Sequence, residues 1–143
     1  METVVLLKAL TPEARAALGG EFLELRRLPF RVGRESRRGA RFQGQGTPRR
    51  RTDTLPNNDL YLIENEAELN VSREHFQIEA RDGAYILVDR GSTCGTLVEG
   101  CLIGGQRQVV ETPLKNCDVI IVGSSKSQFV FKLVIKAKQN GVR

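Results

Sequence analysis

At the centre of the chain stands Asn70-Val71-Ser72-Arg73-Glu74-His75, a polar stretch that runs directly into an alternating apolar segment beginning at Phe76. Alternation of apolar and polar residues is typical of a half-buried strand, so the stretch is predicted to be a loop that feeds a strand. Upstream, a second predicted strand ends in Gly33-Arg34, and downstream a third ends in the turn sequence DRGSTCGT at 89–96. The three loops carry an arginine, a serine and a threonine, whose donors together suit a phosphate clamp.

Short apolar runs separated by turn residues extend in both directions from this centre. They predict about ten or eleven strands, and Asp82-Gly83 predicts a tight hairpin between two of them. One short helix is predicted at Thr11–Leu18, because Thr11 can cap it, Pro12 suits its first position and Gly19-Gly20 ends it. Many short strands with no strand–helix alternation predict an all-β antiparallel sandwich and exclude a parallel α/β sheet. The predicted strands are 2–8, 21–26, 29–33, 60–63, 75–80, 84–89, 96–98, 101–103, 106–111, 119–123 and 128–135.

Composition points to a single folded domain spanning residues 1–143. The chain is 40% hydrophobic and 27% charged, which is ordinary for a soluble globular protein. No apolar run approaches the roughly 18 residues of a membrane span, and the first residues lack the basic region of a signal peptide. The three cysteines are odd in number and lack metal-ligand spacing. We therefore expect a cytoplasmic protein with free thiols, no membrane contact, no metal and no cofactor.

The net charge of +5 is concentrated in one segment. Residues 26–51 contain ten arginines and one acid, so the rest of the chain is net acidic. Within this region, residues 35–57 are rich in glycine, proline and arginine and are predicted to form a long, flexible basic insertion. Residues 136–143 are predicted to be a frayed basic tail. A segment of this charge is suited to an anionic partner such as a phosphopeptide, a nucleic acid or an acidic surface.

Several short motifs, taken in order, resemble those of a forkhead-associated (FHA) domain over a core of about residues 28–135. The resemblance implies a sandwich of two antiparallel sheets, of the SMAD/FHA type, whose loops at one end bind phosphothreonine. The motifs are Gly33-Arg34, Asn58-Asp59-Leu60, Val71–His75, Asp82–Tyr85, Asp89, Gly91-Ser92 and Gly95-Thr96.

Residue chemistry agrees with this resemblance. A phosphothreonine carries roughly −1.5 to −2 charges and three acceptor oxygens. Arg34 offers a planar fork of donors, and Ser72 and Thr93 offer hydroxyl groups. Arg34 could instead be a solvated loop arginine, and Ser72 a turn serine that bonds its own backbone. Arg73 is either a second cation for the ligand or a surface charge. The candidate phosphopeptide-binding residues are Arg34, Ser72, Arg73, Thr93 and Cys94.

The resemblance also implies residues that support the site without contacting the ligand. His75, the sole histidine, is expected to hydrogen-bond neighbouring loops so that Ser72 faces the ligand. Gly33 and Gly95 are expected to serve tight turns or close approach of the backbone. Asp89 is expected to brace a loop.

Two features depart from the family pattern. Cys94 stands where the family usually has an asparagine that holds the peptide backbone, and Glu99 stands where a second asparagine is common. Because cysteine is a weak donor, phosphate binding is expected to survive with altered affinity or flanking preference. The basic insertion is much longer than usual. It could be a solvated insertion without a binding role, or it could extend the anion-binding surface. Alternatively, its Thr52 and Thr54, which follow three arginines, could be kinase sites that dock into a neighbouring copy.

These observations predict a phosphothreonine-peptide binding module in Ser/Thr kinase signalling, whose partner is a phosphorylated kinase or kinase substrate. An enzyme is not expected, because the single histidine has no nucleophile and orienting group in view. Two alternatives remain open at this stage: nucleic-acid binding through the arginine-rich loop, and a phospho-independent interaction scaffold.

Overall fold

The computed structural model describes residues 3–35, 57–64 and 69–138. This part of the chain forms two β-sheets and one short helix, which confirms the predicted all-β sandwich of about eleven strands. The elements are β1 (Thr3–Ala9), α1 (Pro12–Leu18), β2 (Phe22–Glu24), β3 (Phe30–Arg34), β4 (Leu60–Leu62), β5 (Phe76–Arg81), β6 (Ala84–Arg90), β7 (Thr96–Val98), β8 (Cys101–Ile103), β9 (Val109–Leu114), β10 (Val119–Val122) and β11 (Val130–Ala137).

The two sheets have a regular order. One contains six strands in the order β2-β1-β11-β10-β7-β8, and the other contains five in the order β4-β3-β5-β6-β9. In several strands alternate side chains point between the sheets, as in β1, where Val5 and Leu7 are buried and their neighbours are not. The fully buried Phe76 and Phe131 come from opposite sheets and belong to one apolar core.

The helix forms where its capping residues predict it. The Thr11 side chain accepts a hydrogen bond from the Ala14 N–H, and Pro12 occupies the first turn. Gly19 ends the helix with φ 76°, a left-handed conformation that glycine adopts without a steric penalty. Ala17 and Leu18 are buried, so the helix joins the core of the sandwich.

Antiparallel pairing brings the three candidate loops to one end of the five-stranded sheet. Val32 near the end of β3 pairs with Phe76 at the start of β5, and Phe76 pairs with Asp89 near the end of β6. The loop before β5 therefore lies between the end of β3 and the turn after β6. β9 begins at the same end, because Val109 pairs with Arg90.

Several details differ from the sequence-based expectation. β11 ends at Ala137, two residues later than predicted, because Lys136 and Ala137 pair with β1. β4 pairs with β3 in parallel, with Val32 opposite Leu60. A parallel pair needs a long connection, and residues 35–59 supply one. β9 begins at Val109, three residues later than predicted, because Gln106 and Arg107 adopt positive φ angles of 55° and 64° and form a turn.

Candidate functional site

An open depression of about 720 Å³ lies at this end of the sandwich. Four arginines and one glutamate lie around it, so the surface carries a clear excess of positive charge that favours an anionic ligand. The lining residues are Arg34, Asn57, Ser72, Arg73, Glu74, Arg90, Gly91, Thr93 and Arg107. Four of the five sequence-predicted binding residues are therefore brought together.

Ser72 joins the three loops. Its carbonyl oxygen accepts the backbone N–H of Arg34 at 2.9 Å, which ties it to the end of β3. Its Oγ accepts the backbone N–H of Thr93 at 3.0 Å, which ties it to the turn after β6. Because the Oγ acts as an acceptor in that bond, the hydroxyl proton of Ser72 remains available to donate to a ligand.

Arg34 is oriented by a backbone contact. Its Nε donates to the Val71 carbonyl oxygen at 2.8 Å, which fixes the plane of the guanidinium at the wall of the depression. Within the described part of the chain, neither Nη atom of Arg34 has a hydrogen-bond acceptor. The guanidinium can therefore present paired donors to two oxygens of one anion.

The turn that carries Thr93 is braced by a buried carboxylate. Asp89 Oδ1 accepts the N–H groups of Gly91 and Ser92 at 3.1 and 2.8 Å. Its Oδ2 accepts the hydroxyl groups of Ser92 and Thr96 at 2.8 and 2.9 Å. With four donors satisfied by one fully buried side chain, the turn is held in a single arrangement beside Ser72.

His75 connects two of the loops from below. Its Nδ1 accepts the backbone N–H of Ser72 at 2.9 Å, and its Nε2 lies 2.7 Å from the Gly95 carbonyl oxygen. A backbone N–H can only donate and a carbonyl can only accept, so the ring is the neutral tautomer with its proton on Nε2. Burial lowers the pKa of His75, because the fully enclosed ring disfavours a charge.

Two glycines stand where a side chain would not fit. A Cβ on Gly33 would lie 2.0 Å from the Arg73 carbonyl oxygen and 2.6 Å from Asn58 Nδ2, so β3 approaches the 70–75 loop too closely for any other residue. Gly95 has φ 83°, and its Cβ would lie 2.6 Å from Leu102 Cδ1. Both positions require glycine for backbone placement.

Some predicted features lie away from the depression or outside the described residues. Cys94 follows Thr93 but is half-buried and does not line the depression. Glu99 has φ 51°, and its carboxylate accepts the Val119 N–H at 2.7 Å, so it is committed to β10. Most of the basic insertion, including Thr52 and Thr54, lies outside the described residues.

Sequence reasoning assigned no role to Arg90 or Asn57, and it quoted Asn58 only as part of a motif, without the contacts that it makes. Arg90 donates to the Asn58 Oδ1 at 2.6 Å and to the Asn57 carbonyl oxygen at 3.1 Å. The Asn58 amide in turn donates to the Arg73 carbonyl oxygen at 2.7 Å, which holds the 70–75 loop in place. Burial lowers the pKa of Arg90, while the nearby Glu74 carboxylate, 3.8 Å away, opposes that shift. An arginine that ends a strand gave no sequence signal for this role.

The part of the chain that is described was also searched for metal-binding clusters and for membrane-spanning helices. Residues 3–35, 57–64 and 69–138 contain no cluster of three or more histidine, cysteine or carboxylate side chains that could hold a metal ion. Among these same residues, no helix has the length and apolar character needed to cross a membrane.

Comparisons with known proteins extend this description. The sequence model of the FHA domain family matches residues 30–123. No curated protein sequence matches the chain.

Solved structures of three proteins share the fold at low sequence identity. The kinase-interacting FHA domain of the Arabidopsis kinase associated protein phosphatase KAPP has a TM-score of 0.60 and 21% identity, over 96% of this chain and 98% of that one. The FHA domain of the Chlamydia trachomatis CT664 protein has a TM-score of 0.55 and 22% identity, over 92% and 96%.

The third is Mycobacterium tuberculosis EmbR, solved in complex with a low-affinity phosphopeptide, with a TM-score of 0.56 and 21% identity. It is matched over 96% of this chain, which spans only 26% of the length of EmbR.

Proposed function

Because the chain belongs to the forkhead-associated (FHA) domain family, we propose that it binds phosphothreonine peptides in the depression at the end of its sandwich. It acts as a binding module in Ser/Thr kinase signalling, and its partner is a phosphorylated kinase or kinase substrate. The whole of residues 1–143 works as one domain in this proposal.

One observation carries the proposal. Arg34, Ser72 and Thr93 line a single depression, and the Ser72 carbonyl and hydroxyl oxygens each accept a backbone N–H from the other two loops. Donors suited to a phosphate dianion therefore lie around one depression. Arg73 lines the same depression, is exposed, and adds a second cation beside Ser72.

Expected affinity follows from the number of charge-assisted contacts. Each hydrogen bond to a charged group contributes about 1.5–3 kcal/mol net. Three of them total about 4.5–9 kcal/mol before the cost of ordering the peptide, which fits micromolar binding (about 8 kcal/mol) better than nanomolar binding. Such an affinity suits a reversible signalling contact.

The solved relatives support the choice of ligand and setting. EmbR was solved with a phosphopeptide, and the Arabidopsis FHA domain is described as kinase-interacting. These structures support only the general class of ligand, because identities near 21% relate the folds alone. The residues that line the depression carry the rest of the argument.

The test is binding of fluorescent phosphothreonine peptides from a degenerate library, measured by fluorescence anisotropy. Wild-type protein is expected to bind the phosphorylated pool and not its unphosphorylated counterpart. Arg34→Ala and Ser72→Ala should each weaken binding by about tenfold or more. Lys115→Ala is a matched control, because Lys115 is exposed next to Leu114, which pairs with Tyr85 at the opposite end of the sheet.

Equal binding of phosphorylated and unphosphorylated peptides would contradict the proposal and favour a phospho-independent scaffold. Nucleic-acid binding predicts a different pattern. It should fall steeply with added salt and persist in Arg34→Ala and Ser72→Ala, because it would depend on the arginines of the basic insertion, residues 35–57.

A further inference from the structure

A fourth side of the depression is formed by a turn that the proposed phosphate contacts do not use. This turn, residues 104–108, connects β8 and β9 and carries Arg107. Gln106 and Arg107 both adopt positive φ, a conformation that costs a residue with a side chain about 1–2 kcal/mol. Two hydrogen bonds of 2.9 Å offset this cost: the Gln106 N–H donates to Thr93 O, and the Arg107 N–H donates to Ser92 O.

These bonds attach Arg107 to a different part of the site from the other arginines. Arg34 is tied to the 70–75 loop by the hydrogen bond from its N–H to the Ser72 carbonyl oxygen, and Arg73 is part of that loop. Arg107 is fixed to the far side of the turn that carries Thr93. Gly91, with φ 92°, lies beside this contact, since a Cβ built on it would be in ordinary van der Waals contact with the Arg107 carbonyl oxygen, at 3.5 Å.

The charges of the depression exceed what one phosphate needs. Arg90 is occupied by the two asparagines and by Glu74, the sole carboxylate among the lining residues. Arg34, Arg73 and Arg107 have no carboxylate partner in the described part of the chain. A phosphothreonine brings roughly two negative charges, which leaves one guanidinium uncompensated.

We propose that Arg107 is a specificity residue that selects peptides carrying a second anionic side chain beside the phosphothreonine. The phosphate lies at Arg34 and Ser72, and the exposed Arg107 guanidinium, across the Thr93 turn, meets a flanking carboxylate or phosphate. This inference rests on the proposed function and assigns its ligand a further feature. Because the contact is exposed, it contributes selectivity more than affinity.

The experiment measures the affinity of each protein variant for each peptide in a set. The probes are one phosphothreonine peptide with alanine flanks, a series with one aspartate at each flanking position in turn, and a series with one phosphoserine there. The variants are Arg107→Gln, Arg107→Lys and the control Lys115→Ala. Melting temperatures check that each variant folds, and glutamine and lysine meet the same backbone constraint at position 107 as arginine.

At one flanking position, wild-type protein is expected to bind the anionic peptide about fivefold more tightly than the alanine-flanked peptide. That gain should vanish in Arg107→Gln, persist in Arg107→Lys and Lys115→Ala, and shrink as ionic strength rises. A larger gain with phosphoserine than with aspartate identifies a doubly phosphorylated partner, and equal gains identify an acidic one; either supports the inference.

The result that overturns the inference is phosphate-dependent binding with no gain at any position, or a gain that Arg107→Gln retains. That pattern leaves the proposed function intact. If the wild-type protein shows no phosphate-dependent binding to any of the peptides, by contrast, both the proposed function and the role of Arg107 are overturned.

Discussion

Replacing Gly33 by alanine tests how tightly β3 and the 70–75 loop are fitted together. The added Cβ would lie 2.0 Å from the Arg73 carbonyl oxygen, where an ordinary contact is more than 1 Å longer, so the loop must move. The same movement disturbs the 2.7 Å hydrogen bond from Asn58 to Arg73, whose donor side chain is fully buried.

The magnitude follows from these two effects. Overpacking of this kind costs about 1–3 kcal/mol, and a disturbed buried hydrogen bond adds about 1 kcal/mol. A total of roughly 3 kcal/mol, at roughly 3–4 °C per kcal/mol for a domain of this length, lowers the melting temperature by about 10 °C. Because Ser72 moves with the loop, phosphopeptide affinity should fall as well.

The assay is thermal unfolding followed by circular dichroism. Gly20→Ala is the matched control, since a Cβ at Gly20 meets nothing within 4 Å and its effect should stay within about 1 kcal/mol. A melting temperature for Gly33→Ala within about 2 °C of wild type would refute the reasoning, because it would mean that the loop is not held against β3.

Three further predictions concern the residues around the depression. Burial lowers the pKa of His75, so the unfolded chain takes up a proton before the folded one as pH falls below about 6.5. Stability should therefore decline from pH 7 to pH 5.5, and NMR titration of this single histidine should give a pKa below 6.5; a value above it contradicts the neutral bridge. Asp89→Ala removes the acceptor of four donors and should lower the urea unfolding free energy by more than about 2 kcal/mol, whereas a loss under about 0.5 kcal/mol counts against the brace. Cys94 does not itself line the depression, but an asparagine is longer and carries amide donors that a thiol lacks, so Cys94→Asn should tighten phosphothreonine-peptide binding in titration calorimetry; equal or weaker affinity opposes this.

Local signals predicted most of the fold. The Asp82-Gly83 pair predicted a tight hairpin, and the two residues adopt φ 53° and 80° between β5 and β6. Alternation in β5 and β11 likewise placed buried side chains on one face, because a half-buried strand repeats every two residues. These features depend on neighbouring residues alone, which is why sequence patterns contain them.

Features that depend on distant partners were not predictable in this way. The parallel pairing of β3 with β4 depends on how the chain returns after residues 35–59, and no local pattern specifies it. The left-handed backbone at Gln106 and Arg107 is stabilised by hydrogen bonds that their N–H groups donate to Thr93 and Ser92, about fourteen residues earlier, against their own conformational preference. Arg90 resembles any charged residue at a strand end until its asparagine partners are in place.

The candidate site was partly predictable from the sequence. The motif resemblance placed Arg34, Ser72 and Thr93 in loops, and the antiparallel order of β3, β5 and β6 brings those loops to one end of the sheet. The supporting contacts of Asn58 and Arg90 became visible only in three dimensions. The roles of Arg34, Ser72 and Thr93 in binding, and of the residues that support them, stay predictions.

The central claim is that an anion binds where the ends of β3 and β6 meet the 70–75 loop. The most direct measurement is NMR mapping of backbone amides in ¹⁵N-labelled protein titrated with a phosphothreonine peptide. The claim predicts that the largest shift changes fall on Arg34, Ser72 and Thr93, and that the unphosphorylated peptide leaves these amides unmoved. Unchanged signals there, with the changes instead around the second depression lined by Phe22, Arg27 and Phe30, would contradict it.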